Sequence, residues 1–146
     1  MIRKSKMSNY KLDYSSLEKA VNTLEFAIHS FDSRKDSIKP EERDLMRDGV
    51  IQRFEYTFEL AWKTIKRYIE IYGLEKADTL NNRELFRVGF ENGLIRDAAR
   101  WFDYLTDRNQ TSHIYNPDVA ADVFASAENF LTDARYLLDQ LKERIK

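Results

Sequence analysis

The chain of 146 residues is 42% hydrophobic and 34% charged, and its 24 lysines and arginines almost balance its 25 aspartates and glutamates. A net charge of −1 excludes a protein that coats nucleic acid through general positive charge, because such binding needs many uncompensated basic side chains. The chain has no cysteine, which excludes disulfides, thiol catalysis and zinc–thiolate sites.

These features favour one cytoplasmic domain over residues 1–146, with a flexible segment over residues 1–10. The basic residues Arg3, Lys4 and Lys6 are not followed by an apolar run, so we expect no secretory signal. No apolar segment approaches the length of a membrane span. Only four glycines and two prolines interrupt the chain, which is typical of helices rather than of strands joined by tight turns.

The first two predicted helices each carry one apolar stripe with intervals of three and four residues. The first should cover about residues 12–36. The second should cover about residues 40–72, because Pro40 suits a first helical turn and Gly73 can cap the end. Gly49 lies near its front and can either bend the helix or allow close packing. The stripes are Tyr14, Leu17, Val21, Leu24, Ile28 and Phe31, then Ile51, Phe54, Phe58, Ala61, Ile65, Tyr68 and Tyr72.

The two shorter helices are predicted from their caps. The third should cover Asn82–Glu91, with Thr79 or Asn81 as its N-terminal cap and Gly93 at its end. Asp97 or a neighbour should begin the fourth.

The last predicted helix completes a bundle. Asn116 is a good cap, Pro117 suits the first helical position, and an apolar stripe continues to about Ile145. Three long and two short helices predict an all-α fold, an antiparallel up-and-down bundle of four or five helices. The second helix also carries Tyr56 and Trp62 outside its stripe, and a homodimer is the simplest way to bury this second surface.

The segment RNQTSHIYNP, between the last two predicted helices, holds the strongest candidate site. Arg108 can bind a phosphate with several donors, and His113 can move a proton near neutral pH. Asn109 can orient either group, and Tyr115 offers a hydroxyl. Together they are the parts needed to cleave RNA without a metal, since a base takes the 2′-hydroxyl proton and a cation stabilises the phosphorane. The alternative is a capped, hydrogen-bonded loop.

Two other charged groups admit both a structural and a functional interpretation. The arginines near the motif include Arg96 and Arg100, one helical turn apart. The five arginines from Arg83 to Arg108 are balanced by five acidic residues, which favours solvated ion pairs, with phosphate or RNA contacts beside the motif as the alternative. Glu55 and Glu59 are also one turn apart, and Lys63 follows Glu59 by four residues, which favours an ordinary ion pair. The alternative is that both glutamates line the cleft and contact the motif.

The remaining candidates favour structural roles. His29 should lie at the edge of the first helix in an ion pair with Glu25, and it has no nearby ligand partner, so we expect no metal site. No bound cofactor is expected either. Five aromatic residues could stack a base, although their spacing places most of them in the core. They are Phe54, Phe58, Trp62, Tyr68 and Trp101.

Two segments resemble a known family. Arg108-x4-His113-x-Tyr115 is similar to the Arg-x4–6-His motif of the HEPN superfamily, in the form found in HepT-type toxins. RDGVIQRFEYTFELAWKTIKRYI (residues 47–69) and WFDYLTDRNQTSHIYN (residues 101–116) look like the nucleotidyltransferase substrate-binding protein family. The resemblance extends over about residues 14–145, nearly the whole chain.

This resemblance implies a HEPN-like helical bundle that dimerises, with the two motifs facing each other. It implies an endoribonuclease toxin in which Arg108 and His113 are catalytic and Asn109 supports them. It further implies a separate minimal nucleotidyltransferase, encoded nearby, which binds this chain and silences it by attaching AMP to Tyr115. Ser112 replaces the small apolar residue of many HepT toxins, as in the substrate-binding subfamily.

The alternative is a non-catalytic subunit that binds a substrate or nucleotide and presents an acceptor to the nucleotidyltransferase. The chain itself should not be that enzyme, because a nucleotidyltransferase needs a Gly-Ser turn followed by spaced aspartates that hold two magnesium ions. No such pattern occurs in the sequence.

Overall fold

The computed structural model describes residues 12–145, so the flexible segment predicted for residues 1–10 lies outside the described residues. The described part is all-helical, which confirms the predicted fold class. It contains five α-helices and two short 3-10 turns, at Ala77–Thr79 and Thr111–His113. The helices are α1 (Ser15–Arg34), α2 (Pro40–Ile71), α3 (Asn82–Glu91), α4 (Ala98–Arg108) and α5 (Pro117–Arg144).

The helix boundaries follow from local capping chemistry. The side chain of Asn81, rather than that of Thr79, accepts a hydrogen bond from the Glu84 amide at 2.8 Å and caps α3. Asp97 caps α4 in the same way. Gly73 follows α2 with a φ of +62°, a left-handed conformation that glycine adopts without strain. The predicted boundaries are therefore correct within about three residues.

Contacts between the long helices show how they are arranged. Residues early in α1 contact residues late in α2 and α5, so α1 runs antiparallel to both. Equivalent contacts show that α2 and α5 run parallel to each other and that α4 runs antiparallel to α5. The contacting pairs are Ala20–Thr57 and Lys35–Arg43 between the α1 and α2 regions, and Glu18–Lys142 and Glu25–Arg135 between α1 and α5. They are Phe54–Phe130 and Tyr68–Arg144 between α2 and α5, and Arg100–Asp133 and Asp107–Ser126 between α4 and α5.

An aromatic cluster fills the centre of the bundle. Phe58 of α2 lies 5.9 Å from Trp101 and 5.7 Å from Phe130, measured between ring centroids, and none of the three is exposed. Such pairs add stability beyond the area they bury. Of the five aromatic residues considered above, four are buried, and only Trp62 is partly exposed, with its indole N–H donating to Glu59.

The ion pair expected between His29 and Glu25 is not formed. His29 is exposed as expected, but Glu25 pairs with Arg135 of α5 at 3.0 Å rather than with His29. Sequence spacing could not show that the face of α1 carrying Glu25 meets α5.

Within residues 12–145, no helix is both long and apolar enough to cross a membrane.

Candidate active site

The motif forms a short, ordered connection between α4 and α5. Arg108 is the last residue of α4, and a 3-10 turn covers Thr111–His113. The His113 amide donates to the Gln110 carbonyl at 2.9 Å, and the Asn116 amide donates to the His113 carbonyl at 3.0 Å. Asn116 then caps α5. The predicted cap is therefore present, and it fixes the backbone that carries the candidate residues.

Two glutamates of α2 hold Arg108. Its Nε donates to Glu59 at 2.8 Å, and its Nη1 lies 3.4 Å from a Glu55 oxygen. These three side chains are only about one third exposed, at 29% for Arg108, 31% for Glu59 and 37% for Glu55. Partial burial strengthens such charge-assisted bonds relative to bonds in open water. The guanidinium therefore has a defined position against α2.

Thr111 joins the loop to the same glutamate pair. Its hydroxyl bonds to Glu55 at 2.6 Å and to the Arg108 carbonyl at 2.9 Å. The Lys63–Glu59 pair that the sequence favoured is present, but at 4.0 Å it is the longest of the recorded ion pairs. The contacts that Glu55 and Glu59 make with the motif, which were the alternative, are all shorter than this ion pair. Sequence reasoning had no means of identifying Thr111.

His113 and Tyr115 form an exposed pair beyond the turn. His113 Nδ1 lies 3.4 Å from the Tyr115 hydroxyl, and 81% of Tyr115 is accessible to solvent. A large aromatic side chain exposed to this degree is open to a partner or an enzyme. Within residues 12–145, no hydrogen bond joins the side chain of Arg108 or Asn109 to His113. One copy of the chain therefore does not assemble the predicted trio by direct hydrogen bonds.

Arg96 and Arg100 face a different helix. Arg96 lies 3.0 Å and Arg100 2.9 Å from the carboxylate of Asp133 in α5. Both arginine side chains are 45% exposed, whereas Asp133 is 3% exposed. The predicted ion pairs exist, but their partner is a buried carboxylate. Phosphate or RNA contacts by these two arginines stay a prediction, since both side chains remain almost half exposed beside their ion pair.

Asp133 was missed from the sequence although a signal was present. It follows Phe130 by three residues and precedes Ala134, so it lies on the inward face of α5. A carboxylate there requires partners, because an unpaired buried charge is costly. The Tyr104 hydroxyl donates to it as well, and burial raises the pKa of Tyr104 well above its ordinary value.

Two grooves lie on this part of the surface, and the second borders the motif. One groove, of about 460 Å³, lies between α4 and α5 and is mainly polar. Asp107 lies in its wall, where burial raises the pKa of the Asp107 carboxyl group. The Ser126 hydroxyl donates a hydrogen bond to Asp107. The other, here called the α2 groove, has a volume of about 320 Å³ and lies between α2 and the motif turn. It is lined by Leu45, Asp48, Gly49, Ile51, Gln52, Glu55, Thr111 and Ile114. Among the described residues, no cluster of three potential metal ligands occurs.

The all-helical bundle, with Arg108 at the end of α4 and His113 and the exposed Tyr115 before α5, agrees with the HEPN-like bundle that the sequence predicted. Residues 12–143 match the family described as "Nucleotidyltransferase substrate binding protein like", and the chain belongs to this family, as the sequence predicted.

Relatives of known sequence and structure agree with this assignment. The chain is 31% identical to a Haemophilus influenzae protein named "Probable ribonuclease HepT", over 94% of this chain and 97% of that one. It is also similar to a Haemophilus influenzae structure described as a substrate-binding domain of a nucleotidyltransferase, with a TM-score of 0.84, 30% identity, and coverage of 89% and 99%. A Thermus thermophilus structure matches with a TM-score of 0.68, 32% identity, and coverage of 86% and 98%.

Proposed function

We propose that this chain is a metal-independent endoribonuclease with its active site at the motif, and that it is the toxin of a two-component system whose nucleotidyltransferase silences it. The observation that carries the proposal is that one short motif holds both an exposed His113–Tyr115 couple and an Arg108 fixed by Glu55 and Glu59. The relative named as a ribonuclease supports the reaction class.

The proposed reaction is transfer within the RNA strand. His113 takes the proton of a 2′-hydroxyl, whose oxygen attacks the adjacent phosphorus. The bond from phosphorus to the 5′-oxygen breaks, and that oxygen receives the proton that His113 has taken. The products are a 2′,3′-cyclic phosphate and a 5′-hydroxyl. A neutral imidazole suits the first step because its unprotonated ring nitrogen can accept this proton.

Arg108 stabilises the charge that develops on the phosphorane. Its recorded contacts with described residues use Nε and Nη1, which leaves the Nη2 donors for phosphate. Glu55 and Glu59 act as positioning residues in this proposal, because they fix the plane of the guanidinium. Asn109, the exposed C-terminal cap of α4, is proposed to orient the substrate or the imidazole.

The site is proposed to be composite. His113 and Arg108 are not bonded to each other within one copy, so a homodimer in which two motifs face each other would combine Arg108 of one copy with His113 of the other. Tyr56 is 39% exposed and Trp62 is partly exposed on α2, which leaves the second surface predicted from the sequence open to such a partner.

Tyr115 is the proposed switch. Its hydroxyl would attack the α-phosphorus of a nucleoside triphosphate bound to the partner nucleotidyltransferase, forming a phosphodiester and releasing pyrophosphate. The added AMP would replace the phenolic proton and place a charged group next to His113, whose ring nitrogen lies 3.4 Å from that hydroxyl. RNA would then be excluded by bulk and by like charge.

A second candidate function is a non-catalytic subunit that binds a substrate or nucleotide and presents an acceptor to the nucleotidyltransferase. The observation that favours it is electrostatic: two glutamates surround one arginine, so this part of the site has a formal charge of −1. RNA binding gains little from such a charge.

Cleavage in the presence of EDTA tests the reaction class. We expect the purified chain, shown by mass to lack AMP, to cut single-stranded RNA equally well with and without EDTA, because the proposed steps use only side chains. Strong inhibition by EDTA would contradict the metal-independent mechanism. RNA that stays intact in both conditions would favour the non-catalytic subunit.

A further inference from the structure

The α2 groove contains a glycine that neither its φ angle nor the space around it within the chain requires. Gly49 lies inside α2 and has no positive φ. A Cβ atom built there would have one neighbour within 4 Å, the Arg53 Nη1 at 3.6 Å, which is an ordinary contact. Glycine within a helix costs about 1 kcal/mol relative to alanine. An ordinary contact at 3.6 Å does not indicate close packing, and bending of α2 at Gly49 stays a prediction.

The groove that Gly49 opens has the chemistry of a nucleobase site. Leu45 and Ile114 provide apolar surface for the faces of a flat ring. The Gln52 amide can donate to and accept from a base edge. Its volume of about 320 Å³ lies at the lower end of the range for small-ligand sites.

We propose that the α2 groove is a nucleobase subsite, which binds the base of a nucleotide next to the phosphate that is cut at the motif. This inference rests on the proposed ribonuclease function. Glu55 and Thr111 connect the two places, because both line the groove and Glu55 also contacts Arg108. Gly49 lies about 9 Å from Glu55 along the helix axis, since each residue of a helix rises about 1.5 Å.

The carboxylates of the lining suit the edge of a base. Asp48 and Glu55 are the charged residues of the lining, and each is paired with an arginine outside it, Asp48 with Arg47 at 3.1 Å and Glu55 with Arg108 at 3.4 Å. Their remaining lone pairs can accept hydrogen bonds from the exocyclic amino groups of adenine, cytosine and guanine. Uracil has no amino group, so it should bind more weakly than the other three.

Substitution of Gly49 by leucine separates binding from stability. Leucine fills the groove, and it is a better helix former than glycine, so the Tm should stay equal or rise. Binding is measured by fluorescence anisotropy with short oligoadenylate, in a His113→Ala background that keeps the RNA intact. We expect Gly49→Leu to weaken this affinity about tenfold. An oligonucleotide of the same length without bases should bind both proteins equally.

Ala125→Leu is the matched control, because it adds a leucine at an exposed position of α5 outside the groove, and it should leave RNA affinity unchanged. Unchanged oligoadenylate affinity in Gly49→Leu would overturn the inference, as would equal loss for the baseless strand. A change in molar mass by light scattering that accounts for the loss would also overturn it, and would indicate that a second copy fills the groove.

The same measurements keep this inference separate from the proposed function. If RNA binding depends on Gly49 but the chain with an intact His113 does not cleave RNA, the ribonuclease proposal is wrong and the subsite is retained. Failure of the His113→Ala chain to bind RNA at all would overturn the subsite.

Discussion

At the scale of single residues, the central feature is an arginine held by two carboxylates. Glu59 contacts Arg108 Nε at 2.8 Å, and Glu55 contacts Nη1 at 3.4 Å. An arginine that must bind a developing phosphorane benefits from a fixed orientation, because small misplacements of a catalytic group reduce rates strongly. The glutamates are therefore expected to affect the rate of cleavage more than the stability of the bundle.

Glu59→Ala should lower kcat about 10- to 100-fold with little change in KM, because Arg108 loses its best-defined contact. Glu59→Gln should keep most of the activity, because its amide oxygen accepts the same hydrogen bond from Nε. Glu70→Ala is a matched control, since Glu70 lies on the same helix, is similarly exposed at 36% and pairs with Arg67. Parent-like cleavage by Glu59→Ala would remove this positioning role.

Tyr115→Phe should keep the ribonuclease activity and abolish modification by the partner nucleotidyltransferase. The change removes one exposed hydroxyl and leaves the ring, so the fold should not change. Intact mass and peptide mapping after incubation with the partner and ATP would detect AMP. If AMP appears on the Tyr115→Phe chain, the acceptor lies elsewhere and the proposed switch is wrong.

At the scale of helices, α4 and α5 are joined by a buried carboxylate. Asp133 has 3% of its side chain exposed and accepts from Tyr104 in addition to its two arginines. The arginines are almost half exposed and can return to water, whereas the Tyr104 hydroxyl is buried and cannot. The carboxylate should therefore contribute more to stability than either arginine.

Asp133→Ala should lower the free energy of unfolding by about 1–3 kcal/mol, because it creates a cavity and leaves the buried Tyr104 hydroxyl without its acceptor. Arg96→Ala should cost less than about 1 kcal/mol, as is usual for exposed ion pairs. Urea denaturation measures both. Equal losses for the two variants would contradict this account of the α4–α5 contact.

The sequence predicts the helices well because caps and stripes are local. Asn116, Pro40 and Gly73 mark boundaries through chemistry that extends over only a few residues. The sequence predicts contacts between helices poorly, because spacing shows which residues share a face of one helix but not which faces of two helices meet. Glu55 is separated by 53 residues from Arg108 and Arg96 by 37 from Asp133, so only the folded chain reveals either pair.

At the scale of the whole molecule, the proposal depends on two copies. In a composite site, Arg108→Ala and His113→Ala chains should restore activity when mixed, because each mixed dimer contains one site with both an intact arginine and an intact histidine. Random pairing makes about half of the dimers mixed, so about one quarter of the parental activity should return. No recovery after verified exchange of subunits would show that each copy uses its own two residues.

The most direct test of the central claim is RNA cleavage by the AMP-free chain beside its His113→Ala variant, with equal Tm values confirming that both are folded. We expect the parent to cut single-stranded RNA to products with 2′,3′-cyclic phosphate ends and the variant to leave the RNA intact. Equal cleavage by the variant, or intact RNA with the parent, would contradict the assignment of the motif as a ribonuclease site.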